Sequence, residues 1–368
     1  MAIGGDPGNH PSLAFSFERD EPLDDGVRRI ARAQLTNAID ELEGHGADDL
    51  RKVVHGVRKR GKRVRAVLRL VGPGLGKDYR PADAAVRDAG RALAPIRDAH
   101  ALLGTFDALV AGSGEDRIDD GLLGVRNGLA RRAQEATARI GHQDPVIAEA
   151  MALLESARDR IDGWALGDSF TSLAPGLGAT YRRGRVGFRA VVDQPSPEIL
   201  HEWRKAAKHL WHQTQLLAPS APSILDPLEG VLHALADTLG DDHDLVVLTS
   251  LLRADPDAFG GREEVEGAVH LADGRRADLE GRAVALGARL YAEEKRAFVD
   301  RVARYWDAWQ TYGDEQAAGE IATIAPPEDG LEELMRSELY ELARAAGVFG
   351  RSSMDRDDLL ASLRALAP

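Results

Sequence analysis

Cysteine is absent from this sequence, which removes disulfides, thiolate metal sites and a cysteine nucleophile together and fits a reducing compartment. Long apolar runs are absent too: no stretch of ~18 residues passes without charge, and the opening MAIGGDPGNHPSLAFSFERDEP has no basic segment followed by an apolar one. A soluble, cytoplasmic protein with no membrane partner is expected. What is present suffices for a substantial core, because 43% of the 368 residues are hydrophobic, enough for two or three domains. The net charge of −13 weakens long-range attraction to nucleic acid or an anionic membrane, although a focused basic groove attracts either at close range.

One stretch lacks acids altogether. Leu50 to Val71, LRKVVHGVRKRGKRVRAVLRLV, holds nine Arg or Lys, so the remainder of the chain carries −22. Such a reversal of sign points to a partner bearing many negative charges. Val54, Val57, Gly61, Val64, Leu68 and Val71 recur at steps of three and four and form a packing stripe. His55, Arg58, Lys62, Arg65 and Arg69 keep the same rhythm one residue on, about 100° around the helix, with Lys59 and Arg63 alongside.

The flanking text is helical as well. Residues 1–21 are expected to be flexible, and an amphipathic helix follows from Leu23, ending at Gly44 and Gly46, with Arg28, Arg29 and Arg32 on its polar face. Asp48 or Asp49 can cap the basic helix, GPGLGKDY reads as a loop after it, and Pro95 marks a kink or restart in the next helical stretch. After a loop at Gly112 to Asp116, a helix from Leu122 to Ile140 carries Arg126, Arg131, Arg132 and Arg139, completing a four-helix bundle. Another helix, Val146 to Trp164, leads to the Gly- and Pro-containing stretch LAPGLGAT.

The pattern then restarts. LHEWRKAAKHLWHQTQLL, Leu200 to Leu217, repeats the basic helix 146 residues on: His55, Arg58, Lys59 and Lys62 map onto His201, Arg204, Lys205 and Lys208. Both copies read H-x-x-R-K-x-x-K, and downstream Arg97-Asp98 falls on His243-Asp244 without a net insertion. YRRGRVGFRAV precedes the second copy as a further basic helix with Arg182, Arg183, Arg185 and Arg189. Equal construction implies two pseudo-symmetric halves, about 22–165 and 175–312. Ile324-Ala-Pro-Pro-Glu-Asp-Gly330 reads as part of a linker, 313–330, to a small unit at 331–368.

These paired helices, with the YRRGR segment and the downstream Asp segments, resemble the CHAD domain, the conserved histidine α-helical domain, over roughly residues 22–312. The resemblance implies an all-α fold of two four-helix bundles with a basic groove that binds inorganic polyphosphate without catalysis, metal or cofactor, and an association with polyphosphate granules. The candidate binding set comprises Arg28, Arg32, the seven stripe residues from His55 to Arg69, Arg97, Arg126, Arg131, the four α-helical arginines from Arg182 to Arg189, and His201, Arg204, Lys205, Lys208, His209 and His212. Asp98 and Asp244 are read as orienting neighbouring Arg or His. The family's Arg-Asp-x-Asp pattern is altered here to Arg97-Asp98-Ala99-His100 and His243-Asp244. Trp211 and Gln215 replace Arg65 and Arg69 in the second copy, so the groove is expected to be more positive on the first-half side.

A row of phosphates has little shape to read, and a mixed Arg and Lys stripe offers bidentate contacts together with mobile charge over ~21 Å. His55 and His201 each stand open to three roles: phosphate donor, structural hydrogen bonding, or metal ligand. A metal-dependent phosphohydrolase is the enzymatic alternative, using His201, His209, His212 and the cluster Asp241, Asp242, His243, Asp244. A nucleic-acid binder is the other, with Trp203 and Trp211 near the cations. The last residues, SELYELARAAGVFGRSSMDRDDLLASLRAL, resemble the small N-terminal module of transcription terminator Rho, a kind often associated with nucleic acid; seven acids against five arginines at 331–368 argue against a strong phosphate-binding surface, and docking of an unknown partner or a degenerate module fits equally.

Overall fold

The computed structural model describes residues 15–44, 50–112, 122–138, 145–315, 331, 334–345, 348 and 354–364. Among these the chain is α-helical, with no strand. Helix α1 (Leu23–Glu43) starts after Pro22 with Asp24 and Asp25 in its first turn, where negative charge suits the helix dipole. The basic stretch is α2 (Leu50–Leu75), and the hydrophobic members of its stripe, Val54, Val57, Val64, Leu68 and Val71, are buried. Then come α3 (Tyr79–Ala92), α4 (Ala94–Gly112), α5 (Leu123–Ala138) and α6 (Pro145–Arg158). The second half holds α7 (Ala174–Asp193), α8 (Pro197–Leu217), α9 (Pro222–Ala254), α10 (Arg262–Leu290) and α11 (Lys295–Tyr312). Ser196 caps α8 by accepting from the Ile199 N–H at 3.3 Å, and Pro197 fills a first-turn position where its missing N–H costs nothing.

The restart at Pro95 is present, since α3 ends and α4 begins around it, whereas the matching position in α9 is Asp241 and that helix runs on unbroken. The expected loop after the basic helix is helical at its start. Gly72 to Leu75 extend α2, because Pro73 falls in the last turns and the chain leaves only at Gly76, with φ +54°. LAPGLGAT opens α7, and its glycine has a purpose: a Cβ at Gly176 would sit 1.9 Å from the Leu70 carbonyl oxygen of α2. The proposed caps Asp48 and Asp49 and the linker at 324–330 lie outside the described residues.

In the first half α1, α2, α3 and α6 pack together, and in the second α8 lies between α7 and α9, with α10 on α9 and α11 on α7. Helix α2 packs on both α7 and α8, so one core runs through both halves, from Ile30, Leu68 and Leu70 to Tyr181, Trp203 and Leu210. The helix from Leu122 does not close the first bundle as expected. With α4 it packs on the far ends of α9 and α10, burying Leu102, Phe106, Val125 and Leu129 against Leu248, Leu252, Phe259 and Val269 as a second core. The break at Pro95 lets α4 part from α3 and reach that position. Helices α12 (Arg336–Ala345) and α13 (Arg356–Arg364) pack on each other around Leu339, Ala343, Leu359 and Leu363.

Candidate functional site

Helices α2 and α8 cross at Ala66 and Gln213, both fully buried, where the Gln213 amide donates to the Ala66 carbonyl at 3.2 Å. Ala66 and His212 are the same position in the two copies, so the helices meet where the repeat maps onto itself. Lys62 and Lys208, also equivalent, both impose their charge on the buried His212. Burial first, then Arg63, Lys62 and Lys208, push His212 down to about 3 despite its hydrogen bond with Gln215. It is a neutral ring buried at the α2–α8 crossing, not a cation. His209 lies well below its ordinary value as well, through burial and through Arg69, Arg65, His212 and Arg183 around it.

The cations fall into two groups by what surrounds them. Burial brings Arg63 down to about 10, with Arg60 adding repulsion; Lys59 is lowered by burial, Arg63 and Arg60, and Arg69 by burial above all. Acids are felt there but are already engaged: Glu229, near Arg63, accepts from Trp211 and Gln215, and Asp83, near Arg69, accepts from Arg65. Nε of Arg63, Nε of Arg69 and Nδ1 of His209 are buried with no hydrogen-bond partner among the described residues. Isolated donors in low dielectric are costly, so this crossing is a cationic site whose compensation does not come from these side chains.

Most of the second group meet acids or carbonyls of the protein itself. Arg28 binds Asp25, Asp24 and the Trp164 carbonyl, and its pKa is raised, first by Asp25. Arg32 is paired with Asp162, Arg126 with Asp107 at 2.8 Å, and Arg131 donates to the Ala258 carbonyl at 2.8 Å. Arg185 is bound to Glu294, which raises its pKa, and to the Tyr291 carbonyl. Arg65 forms a two-armed pair with Asp83 at 2.8 and 3.3 Å. Arg182, Arg183 and Arg189 are exposed on α7, and Lys205 pairs with Glu202. The side chains of Arg97 and Asp98 lie outside the described residues.

The two motif arginines each lie against a neighbouring helix. Arg58 donates to the Gly90 carbonyl of α3, and Arg204 lies over α9, where a Cβ on Gly240 would be 3.6 Å from its Nε. Beyond Arg204, the rings of His201 and His243 have centroids 4.3 Å apart at 36°. His201 is lowered by burial, Lys205 and Arg204, and His243 is lowered to about 4 by burial, Arg204 and His201, against the pull of Asp244. His55, the counterpart of His201, is exposed at the start of α2. Asp242, by contrast, is buried and holds Arg276 at 2.8 Å. Four successive residues on a helix point about 100° apart, so Asp241 to Asp244 do not converge, and among the described residues no three His, Asp or Glu side chains gather as a metal site.

The geometry has a counterpart among known families: the model of the CHAD domain matches residues 29–253. The chain belongs to the CHAD domain family. No curated protein matches it. Within this CHAD domain the matched span ends with α9, yet α10 packs along α9 and α11 against α7, so both complete the same helical body. The CHAD site also includes residues that sequence reasoning missed. Phe15, in the segment read as flexible, is buried with its ring 4.8 Å from the Arg63 guanidinium and 6.0 Å from His212, and the Phe17 N–H donates to the Leu216 carbonyl at 3.3 Å. The alternation Phe15-Ser16-Phe17 after a polar, Gly-rich start was the available signal. No helix of the described residues is long and apolar enough to cross a membrane.

Proposed function

We propose that this CHAD domain binds inorganic polyphosphate at the crossing of α2 and α8, and that it does so without consuming the polymer. One observation carries the reading. Basic groups of the crossing, Lys59, Arg63, Arg69, His209 and His212, are all driven toward their neutral forms by burial, most of them also by one another, whereas Arg28 and Arg185 elsewhere are held charged by carboxylates. A polyanion supplies the missing counter-charge. Lys62 and Lys208 stand at the axis of the repeat, so a chain of identical units meets similar cations from either side.

The aromatic residues favour polyphosphate over nucleic acid. Trp203 is fully buried, and Trp211 is stacked on His212 at 4.3 Å and on His233 at 4.2 Å, so neither offers a face to a base. We further propose a cytoplasmic protein that joins polyphosphate granules, and that residues 331–368 serve as a separate docking unit resembling the Rho module.

The test is titration with polyphosphate of several lengths, with RNA as competitor and orthophosphate release monitored. Tight, salt-sensitive binding of long chains with an intact polymer is expected. Equal affinity for RNA at matched charge would remove the specificity, and metal-dependent orthophosphate release abolished in Asp244→Ala would favour a phosphohydrolase.

A further inference from the structure

The adjacent, mutually tilted histidine rings of α8 and α9 have no place in a purely static cationic groove. His201 and His243 lie 4.3 Å apart, and Nδ1 of His201 is buried without a hydrogen-bond partner among the described residues. Position 243 is the counterpart of Arg97, so this chain carries a titratable ring where the first copy carries a permanent cation. Resting on the polyphosphate reading, we infer that the His201–His243 pair makes polyanion binding proton-linked, each bound chain drawing protons from solvent onto these rings and binding more tightly as pH falls.

The surroundings give the sign. Helix α8 presents Arg204, Lys205 and Lys208 to the pair, with Glu202 taken up by Lys205. Helix α9 presents Asp244, and Asp241 farther off is influenced by Asp237, by Lys208 and by Arg275 of α10. Arg183 of α7 acts on Glu202, while Lys62 and Arg63 of α2 act on His212 one turn beyond Lys208. On α4, which also packs on α9, Asp107 is held by Arg126. Around the two adjacent rings Arg204, Lys205 and Lys208 oppose a proton and Glu202 and Asp244 favour one, so with burial added neither ring takes a proton cheaply without an anion beside it. Burial and Arg204 hold His243 at about 4. A row of phosphates beside Arg204 and Lys208 reverses that field and offers acceptors to ring N–H groups, so the bound form takes up protons that the empty form rejects.

Calorimetric titration of the full chain with long-chain polyphosphate, at about pH 8 and about pH 6 in buffers of different ionisation enthalpy, reads affinity and protons together. Long chains keep terminal phosphate titration small. The wild type is expected to gain roughly tenfold in affinity at the lower pH with net proton uptake. His243→Arg should bind at the higher pH about as tightly as the wild type does at the lower, with uptake reduced, and His243→Asn should stay weak at both. His201→Asn, checked for fold by circular dichroism, should likewise lose uptake. Affinity that is equal at the two pH values, or uptake undiminished in His243→Arg and His201→Asn, overturns the linkage while leaving polyphosphate binding intact. Absence of binding at either pH overturns the functional reading itself, and the linkage with it.

Discussion

Trp211 donates its indole N–H to the Glu229 carboxylate at 2.5 Å, on the positions that Arg65 and Asp83 hold in the first half. The contact between these helices is kept while the charge of the donor is not. Gln215, at the place of Arg69, adds a second donor to Glu229 at 2.9 Å. Each half sets one acid there, so the first half keeps the two extra positive charges that Arg65 and Arg69 give it over Trp211 and Gln215.

Freeing Arg65 should therefore strengthen anion binding. Asp83→Asn leaves the guanidinium without its partner and is expected to raise polyphosphate affinity severalfold at low salt, whereas Trp211→Arg, neutralised by Glu229, should change it little. Titration of both variants beside the wild type separates the two outcomes; a larger gain in Trp211→Arg would refute the neutralisation.

Charge reversal at the axis should be the most damaging to binding. Lys62→Glu combined with Lys208→Glu is expected to weaken binding by roughly a hundredfold and to flatten the salt dependence, each lost phosphate contact removing roughly 0.7 from the log–log slope if polyphosphate behaves like single-stranded nucleic acid. Arg296→Glu, whose side chain is 90% exposed on α11, is the control and should bind as the wild type. Fluorescence anisotropy at several salt concentrations measures both.

Binding and stability should trade against each other at Arg63. Its charge is buried among cations, so Arg63→Gln is expected to leave the urea midpoint unchanged or higher while weakening polyphosphate binding by roughly tenfold. A clear loss of stability would show that the contact with Phe15 outweighs the repulsion.

The lowered histidines fix the direction of acid sensitivity. His212 at about 3 and His243 at about 4 bind fewer protons folded than unfolded, so their contribution is intact above the unfolded value near ~6.5 and is lost as pH falls toward the folded values. Each titrating ring steepens the decline by up to ~1.4 kcal/mol per pH unit, and His212→Gln should make it shallower. Urea melts between neutral pH and about pH 5 measure the slope.

Two buried contacts should govern folding without touching the ligand. Gly176→Ala places a methyl against the Leu70 carbonyl at the crossing of α2 and α7 and is expected to cost about 2 kcal/mol or more. Asp242→Asn leaves Arg276 with Glu280 alone and should cost ~3 kcal/mol, with polyphosphate affinity per folded molecule unchanged. Thermal melts and titrations of the same samples distinguish loss of fold from loss of site.

The repeat, the helical class and the basic faces were legible without coordinates because they depend on spacing along one chain: a stripe at three and four residues must form one helix face, and the same stripe 146 residues on must form another. Which cations remain uncompensated was not legible, because an arginine's partner is set by what packs beside it. Arg65 and Arg69 belong to one sequence rhythm, yet Asp83 of α3 takes the first and burial isolates the second. The ring pair His201–His243 joins residues on separate helices, and α4 and α5 leave the first half for the second core, through contacts between distant segments. The sequence by itself determined two copies of a cationic helix; only tertiary packing decided which charges meet a carboxylate and which are buried without one, because pairing and desolvation depend on three-dimensional neighbours.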